Sequence, residues 1–245
     1  MSERTTHHFA GMGLLSLALI ICALIGAGAV KQVKRANDTI TVTGSAKRAI
    51  RSDFAVWRGA VTSQDASLQE AFQQIKRYAE RLHSFLQQNQ IPDSLVTFYP
   101  IQTNSIQETS EKGRGYTGRV LAYQLRQNFE IRSADVDRIK DLSMRSSELI
   151  QEGIVLESHT PEFLCTGLPE LRSDMLAEAA ADAKRRAQSM AESVGSRIGA
   201  VRSARMGVFQ ITARHSTDVR DYGIYDTSAL EKDITAVVSM TFTVK

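Results

Sequence analysis

Five histidines and two cysteines are the side chains of this 245-residue sequence best suited to metal binding, proton transfer or thiol chemistry. Their spacing argues against each. His7 and His8 are adjacent near the start, ahead of an apolar segment, and read as solvated. His83 falls beside the charged side of a helical pattern, His159 at the end of a β pattern and His215 at the start of a polar stretch. No H-x-x-x-H or H-E-x-x-H spacing occurs, so the ligand pair of a zinc hydrolase is missing. Cys22 lies inside the apolar segment and Cys165 far beyond it, which leaves no intrachain disulfide and no cysteine-rich zinc site. Cys165 precedes Thr166-Gly167-Leu168-Pro169 and then a helical pattern, and a helix amino terminus favours a thiolate. A single cysteine is more often a small packed apolar residue, and that is the expectation here.

Three carboxylates, Asp218, Asp221 and Asp226, share a polar stretch with Tyr222 and Tyr225. Their spacing does not match an EF-hand, so a solvated or subunit-contacting loop is expected rather than a calcium site. Lys184, Arg185 and Arg186 lie opposite Ala183 and Ala187 on a helical pattern and mark its wet side. Gly113-Arg114-Gly115 is too short for a phosphate cradle, and no G-x-S-x-G elbow, Walker loop or dinucleotide fingerprint occurs. Trp57 and Phe54 read as core anchors. The sequence therefore predicts no catalytic, cofactor-binding or metal-binding residue, and a protein that is not an enzyme.

Charge excludes a further class. Four of the 30 basic residues (Arg4, Lys31, Lys34, Arg35) and one of the 27 acidic ones (Glu3) precede residue 38, which leaves 26 of each beyond it. A body with no net charge has no overall field to attract nucleic acid, and none is expected as a partner. Ahead of it, FAGMGLLSLALIICALIGAGAV, residues 9–30, runs 22 residues without a charge. As a helix it is roughly 33 Å long, enough to cross a bilayer. It reads as a membrane anchor. The alternative is a cleaved signal peptide, for which Ala27-Gly28-Ala29 offers a site. Lys31, Lys34 and Arg35 favour a cytoplasmic body by the positive-inside rule; the short preceding tail and the signal-like pattern favour an extracytoplasmic one. The expectation is a single-pass inner-membrane protein whose carboxy-terminal domain is periplasmic or otherwise extracytoplasmic.

The remaining pattern divides into a tail (1–8), the anchor (9–30), a polar linker (31–38) and one domain (39–245). Alternation predicts strands from Thr39, over Phe54 to Thr62 with Ala55, Trp57, Gly59 and Val61 on one face, over Leu95 to Thr103, and over Val120 to Ile131. Residues 104–118 read as a long hairpin loop. Ser67 to Glu70 fits a capping box that opens a helix to about Asn89, with Leu68, Phe72, Ile75, Ala79, Leu82 and Leu86 on its apolar face. Ser133 is expected to cap a second helix through Val136, Ile139, Leu142 and Leu149, ended by Gly153, before a strand over Ile154 to His159. The longest helix, roughly 170–194, carries Met175, Ala179, Ala183, Ala187, Met190 and Val194 on one face and stops at Gly195 and Gly199. Strands over Val201 to Ile211 and Ile234 to Val244 flank a polar loop, 215–232. This order predicts an α+β fold of mainly antiparallel sheet with helices packed on one face and nearly duplicated strand-helix-strand units.

The opening ITVTGSAKRAIRSDFAVWRGAVTSQ, the segments LVTFYPIQT and YQLRQNFEIRSADVDRIKDL, the helix AEAAADAKRRAQSMAESVGSRIGAV and the closing VVSMTFTV together resemble the SIMPL-domain family of bacterial envelope proteins. The resemblance spans nearly all of 38–245. It implies an extracytoplasmic α+β domain behind a signal or anchor, ring-like or channel-like homo-oligomers, and an association with envelope or oxidative stress. It supplies no catalytic residue. The basic trio after residue 30 departs from an easily exported pattern. The expected function is a membrane-anchored, self-associating structural or interaction module; the alternatives are a small-ligand sensor and an uncharacterised enzyme. The two long loops point to protein contacts, because each joins tyrosine to glycine (Gly115-Tyr116, Tyr222-Gly223).

Overall fold

Period-two alternation of apolar residues becomes strand, and 3.6-residue periodicity becomes helix, in a computed structural model that describes residues 21–23, 38–109 and 116–245. His7, His8, Gly113-Arg114-Gly115, most of 9–30 and all but the last residue of the 31–38 linker lie outside the described residues. Residues 21–23 are exposed helix. Among the described residues no helix is long and apolar enough to cross a membrane.

The strands are β1 (Thr39–Arg51), β2 (Phe54–Asp65), β3 (Val96–Phe98), β4 (Gln102–Thr109), β5 (Tyr116–Ser133), β6 (Leu156–Ser158), β7 (Glu162–Leu164), β8 (Ile198–Met206), β9 (Gln210–Ala213), β10 (Ile224–Tyr225) and β11 (Glu231–Val244). The helices are α1 (Leu68–Gln88), α2 (Val136–Arg145), α3 (Ser147–Gln151) and α4 (Leu168–Ser193). Strands and helices in this order make the fold α+β, with mostly antiparallel sheets. Backbone contacts gather them into two compact units, and β1 and β11 contribute residues to both.

The larger unit holds Lys47–Leu171 and Phe209–Ile234. Its sheet runs β3-β5-β2-β6, with β4 also on β5 and β7 also on β2. Ala55, Trp57 and Val61 of β2 and Leu125, Phe129 and Ile131 of β5 share a core with Ile75, Leu82 and Leu86 of α1 and Ile139, Leu142 and Leu149. Trp57 and Phe129 meet edge to face with centroids 5.3 Å apart, and the indole nitrogen donates to Ser158 Oγ at 3.1 Å. Gly59 makes room for this: a Cβ there would lie 2.5 Å from the Phe129 ring.

Several boundaries differ from expectation. Ser67 Oγ accepts the Glu70 amide as predicted, but the Ser67 amide donates to Asp65 Oδ1 at 2.8 Å, so Asp65 replaces Glu70 in the reciprocal bond. Leu68 and Phe72 are exposed, and Ala71 and Phe85 are buried instead. The strand over Leu95 to Thr103 is two strands, because Pro100 has no amide to give the ladder and constrains Tyr99. The hairpin loop is shorter than 104–118, since β4 runs to Thr109 and β5 starts at Tyr116. Asp135, not Ser133, caps the second helix by accepting the Arg138 amide; Ser133 Oγ accepts the Asp135 amide. That helix breaks into α2 and α3 at a serine cluster, where Ser143, Ser146 and Ser147 each donate to a carbonyl three residues back. The strand over 154–159 shrinks to β6, and β7 follows it.

Of the described residues from 38 on, the smaller unit comprises 38–46, Arg172–Val208 and Thr235–Lys245. Here β11 pairs with β1 and, antiparallel, with β8. Met175, Ala179, Ala183, Ala187 and Ala191 of α4 are buried, with Val42 and Phe242 packed on Ala183 and Ala187. Alanine at this spacing lets α4 approach the sheet so closely that a Cβ on Gly44 would meet the Ala179 carbonyl and Ala183 amide at 2.3 Å. Met190 and Val194, expected on the same face, are exposed, because the stripe advances by fours to Ala191. The helix stops in a Schellman turn: Gly195 takes φ +74, its amide donates to Glu192, and the Ser196 amide donates to Ala191. The strand expected over 201–211 breaks after Met206, where the Gly207 amide donates to the Val237 carbonyl at 2.8 Å.

Candidate functional site

The described histidines, His83, His159 and His215, do not converge. His83, on α1, sits with Nε2 2.9 Å from Asp93 Oδ1. His159 follows β6, its amide donating to the Arg58 carbonyl, and borders a hollow of about 280 Å³ with Arg58, Tyr99, Asn128 and Glu130. His215 takes φ +63 and its amide donates to Asp233 Oδ2. Among the described residues no three His, Cys, Asp or Glu side chains could hold a metal ion.

The loop carboxylates also separate. Asp218 and Asp221 are exposed. Asp226 turns onto its own loop and accepts the Ser228 amide and hydroxyl and the Ala229 amide. Burial opposes its ionisation, but these bonds outweigh burial and hold the carboxyl below its ordinary pKa. Tyr222 lies under the Arg220 guanidinium. On α4, Arg185 and Arg186 are exposed as expected, yet both reach Asp182, a buried carboxylate that also accepts the Ser45 amide at 3.0 Å. Lys184 is exposed.

Within the larger unit, sequence reasoning missed a buried cation. Lys232 is fully buried at the start of β11; its Nζ donates to Ser52 Oγ at 2.8 Å and to the Phe163 carbonyl, and stands 5.7 Å from the Tyr225 ring centroid. Burial drives its pKa below the ordinary 10.5, against the attraction of Cys165 and Asp226. Cys165 is half-buried, as expected of a packed cysteine, with Sγ 3.8 Å from the same Ser52 oxygen, and its amide donates to the Tyr225 hydroxyl. Flanked by Glu231 and Asp233, Lys232 carries no local sign of burial; only the alternation of β11 with its apolar Ile234, Ala236 and Val238 hinted at it.

On the polar face of the sheet, Glu130 is buried between Arg58 and Arg132, each 2.6 Å away. Burial opposes ionisation of Glu130, but the two guanidiniums prevail and keep its pKa below 4.5. These charges satisfy one another. They form a closed network rather than an open ligand site.

The larger unit's open surface lies at β4 and β5. Strand β2 ends opposite Tyr123, so residues 116–122 of β5 pair on one side only, with β4. The result is a two-stranded arm, largely exposed on both faces, that carries Tyr116, Val120 and Leu121 in water. Beside its base, Leu68, Phe72, Ile101 and Leu125 line an apolar groove of about 610 Å³. A two-stranded ribbon is marginal in water by itself, and an open edge is a template for pairing. The arrangement can make contacts with a partner.

A family model, SIMPL, described as "Protein of unknown function (DUF541)", matches residues 40–242. No curated protein matches the chain.

Proposed function

The chain belongs to the SIMPL family, and we propose that it is a self-associating contact module held at a membrane by residues 9–30. The arm of β4 and β5 carries this reading, because it exposes apolar side chains and an unpaired edge that a partner would cover. A projecting arm and a separate groove on one surface favour head-to-tail contact, which closes into a ring when the rotation allows. Anchoring raises the local concentration of copies and favours weak contacts. The domain works outside the cytoplasm in this reading, on the strength of the signal-like pattern of 9–30, and acts by contact without turnover. A role in envelope stress rests on the family resemblance alone.

The test is charge placed on the arm. Val120 and Leu121 are exposed, so Val120→Asp with Leu121→Asp leaves the fold intact. The doubly substituted full-length protein in detergent should sediment as a smaller species than wild type at equal concentration. Identical sedimentation of the two proteins would count against the arm as the contact.

A further inference from the structure

Met190 and Val194 complete the apolar periodicity of α4, yet 53% and 75% of their surfaces are exposed. They lie in the helix's last turns, before the Gly195 stop. Three residues past Val194, Arg197 exchanges two backbone hydrogen bonds with Lys245, and the neighbouring Val244 amide donates to the Asp38 carbonyl. Asp38, Lys245 and Arg197 thus form one row at one end of the smaller unit's sheet, with the Arg197 and Lys245 side chains exposed. Asp38 is also where the chain from the apolar segment arrives. Eight residues, 31–38, separate that segment from Thr39, and eight residues span at most about 29 Å.

Charge follows the same division. From residue 38 on, the smaller unit has eight Lys and Arg against five Asp and Glu, a net of +3, which leaves −3 for the larger unit. Along the last turns of α4 and the row that follows, the charged residues are Arg186, already paired with Asp182, Glu192, Arg197, Lys245 and Asp38.

We propose that this end of the smaller unit docks on an anionic phospholipid surface, with Met190 and Val194 entering the headgroup boundary and Arg197 and Lys245 meeting phosphates. The proposal rests on the reading of 9–30 as an anchor, because the short linker confines Asp38 to the neighbourhood of the bilayer. Exposed apolar residues flanked by cations are the composition that suits an interface.

Brominated lipids test it. Val194→Trp in the full-length protein places an indole at the docking point, and Trp57, fully buried in the core, supplies a constant background. The protein is reconstituted into vesicles of brominated phosphatidylcholine, with and without phosphatidylglycerol. Flotation after alkaline carbonate reads the anchor separately. The added tryptophan should be quenched, more strongly with phosphatidylglycerol. Adding Arg197→Gln and Lys245→Gln should lower the docked-to-undocked ratio about 30-fold, as two lost surface cations imply. Protein that stays with the vesicles while its added tryptophan is quenched no more than wild type overturns docking and leaves the anchor standing. Extraction by carbonate with quenching on anionic vesicles supports docking and removes the anchor; extraction without quenching overturns both. An emission change that tracks protein concentration and not lipid assigns the patch to a second copy and overturns the proposal.

Discussion

Lys232 Nζ donates to Ser52 Oγ at 2.8 Å, across 180 residues of sequence and with no exposed lysine surface. The bond joins the start of β11 to the turn between β1 and β2. Removing only the ammonium group and removing the whole side chain should therefore differ. Lys232→Ala leaves a cavity and strands the Phe163 carbonyl, and its unfolding free energy in urea should fall by about 3 kcal/mol. Lys232→Met keeps the volume and removes the desolvated charge, and should stay within about 1 kcal/mol of wild type.

The same lysine gives an alkaline signature. Burial lowers its folded pKa below 10.5, so between the folded and unfolded values the unfolded chain binds more protons. Stability then rises with pH across that window as the cost of burying the charge is relieved. Urea midpoints of wild type should climb relative to Lys232→Met there; parallel curves would remove the buried ammonium from the account.

Glu130 gives the opposite sign. Its folded pKa lies below 4.5 because Arg58 and Arg132 outweigh burial, so its contribution is present above 4.5 and is lost as pH falls through the folded pKa. Glu130→Gln should lower stability by about 2 kcal/mol at neutral pH, and the gap to wild type should narrow in acid. Denaturation midpoints of the two proteins at neutral and acid pH measure this.

Close approach of strand and helix fixes Gly44. Its Cβ would meet backbone atoms of α4 at 2.3 Å, and backbone cannot rotate aside. Gly44→Ala should reduce stability by about 3 kcal/mol or more, whereas Gly167→Ala, with open space around it, should lie within about 0.5 kcal/mol of wild type. Thermal unfolding of both variants distinguishes them.

The parts legible in the sequence were those set by local periodicity. The α4 stripe from Met175 to Ala187, the glycine stop at Gly195 and the inward face of Trp57 and Val61 all follow from spacing along one element. Leu68 and Phe72 obey the same spacing and yet are exposed, because periodicity gives a helix's face but not how far a neighbouring element extends along it, whereas Met190 and Val194 are left exposed because the buried stripe advances by fours from Ala187 to Ala191. Lys232, Asp182 and Glu130 were illegible for a different reason. A charged residue enters a core only with partners, and although Arg185, Arg186 and Arg132 are local, Ser52, Ser45 and Arg58, which complete the three sets, are distant in sequence. The arm was hidden by its polarity: 104–118 reads as loop, and only pairing with β5 makes most of it strand.

Mass in solution bears most directly on the central claim, that exposed strand and groove of one copy meet those of another. Light scattering of the detergent-solubilised full-length protein, corrected for bound detergent, should give a protein mass of at least twice 27.1 kDa that falls when Val120 and Leu121 are aspartate. A mass of 27.1 kDa at every concentration would contradict it.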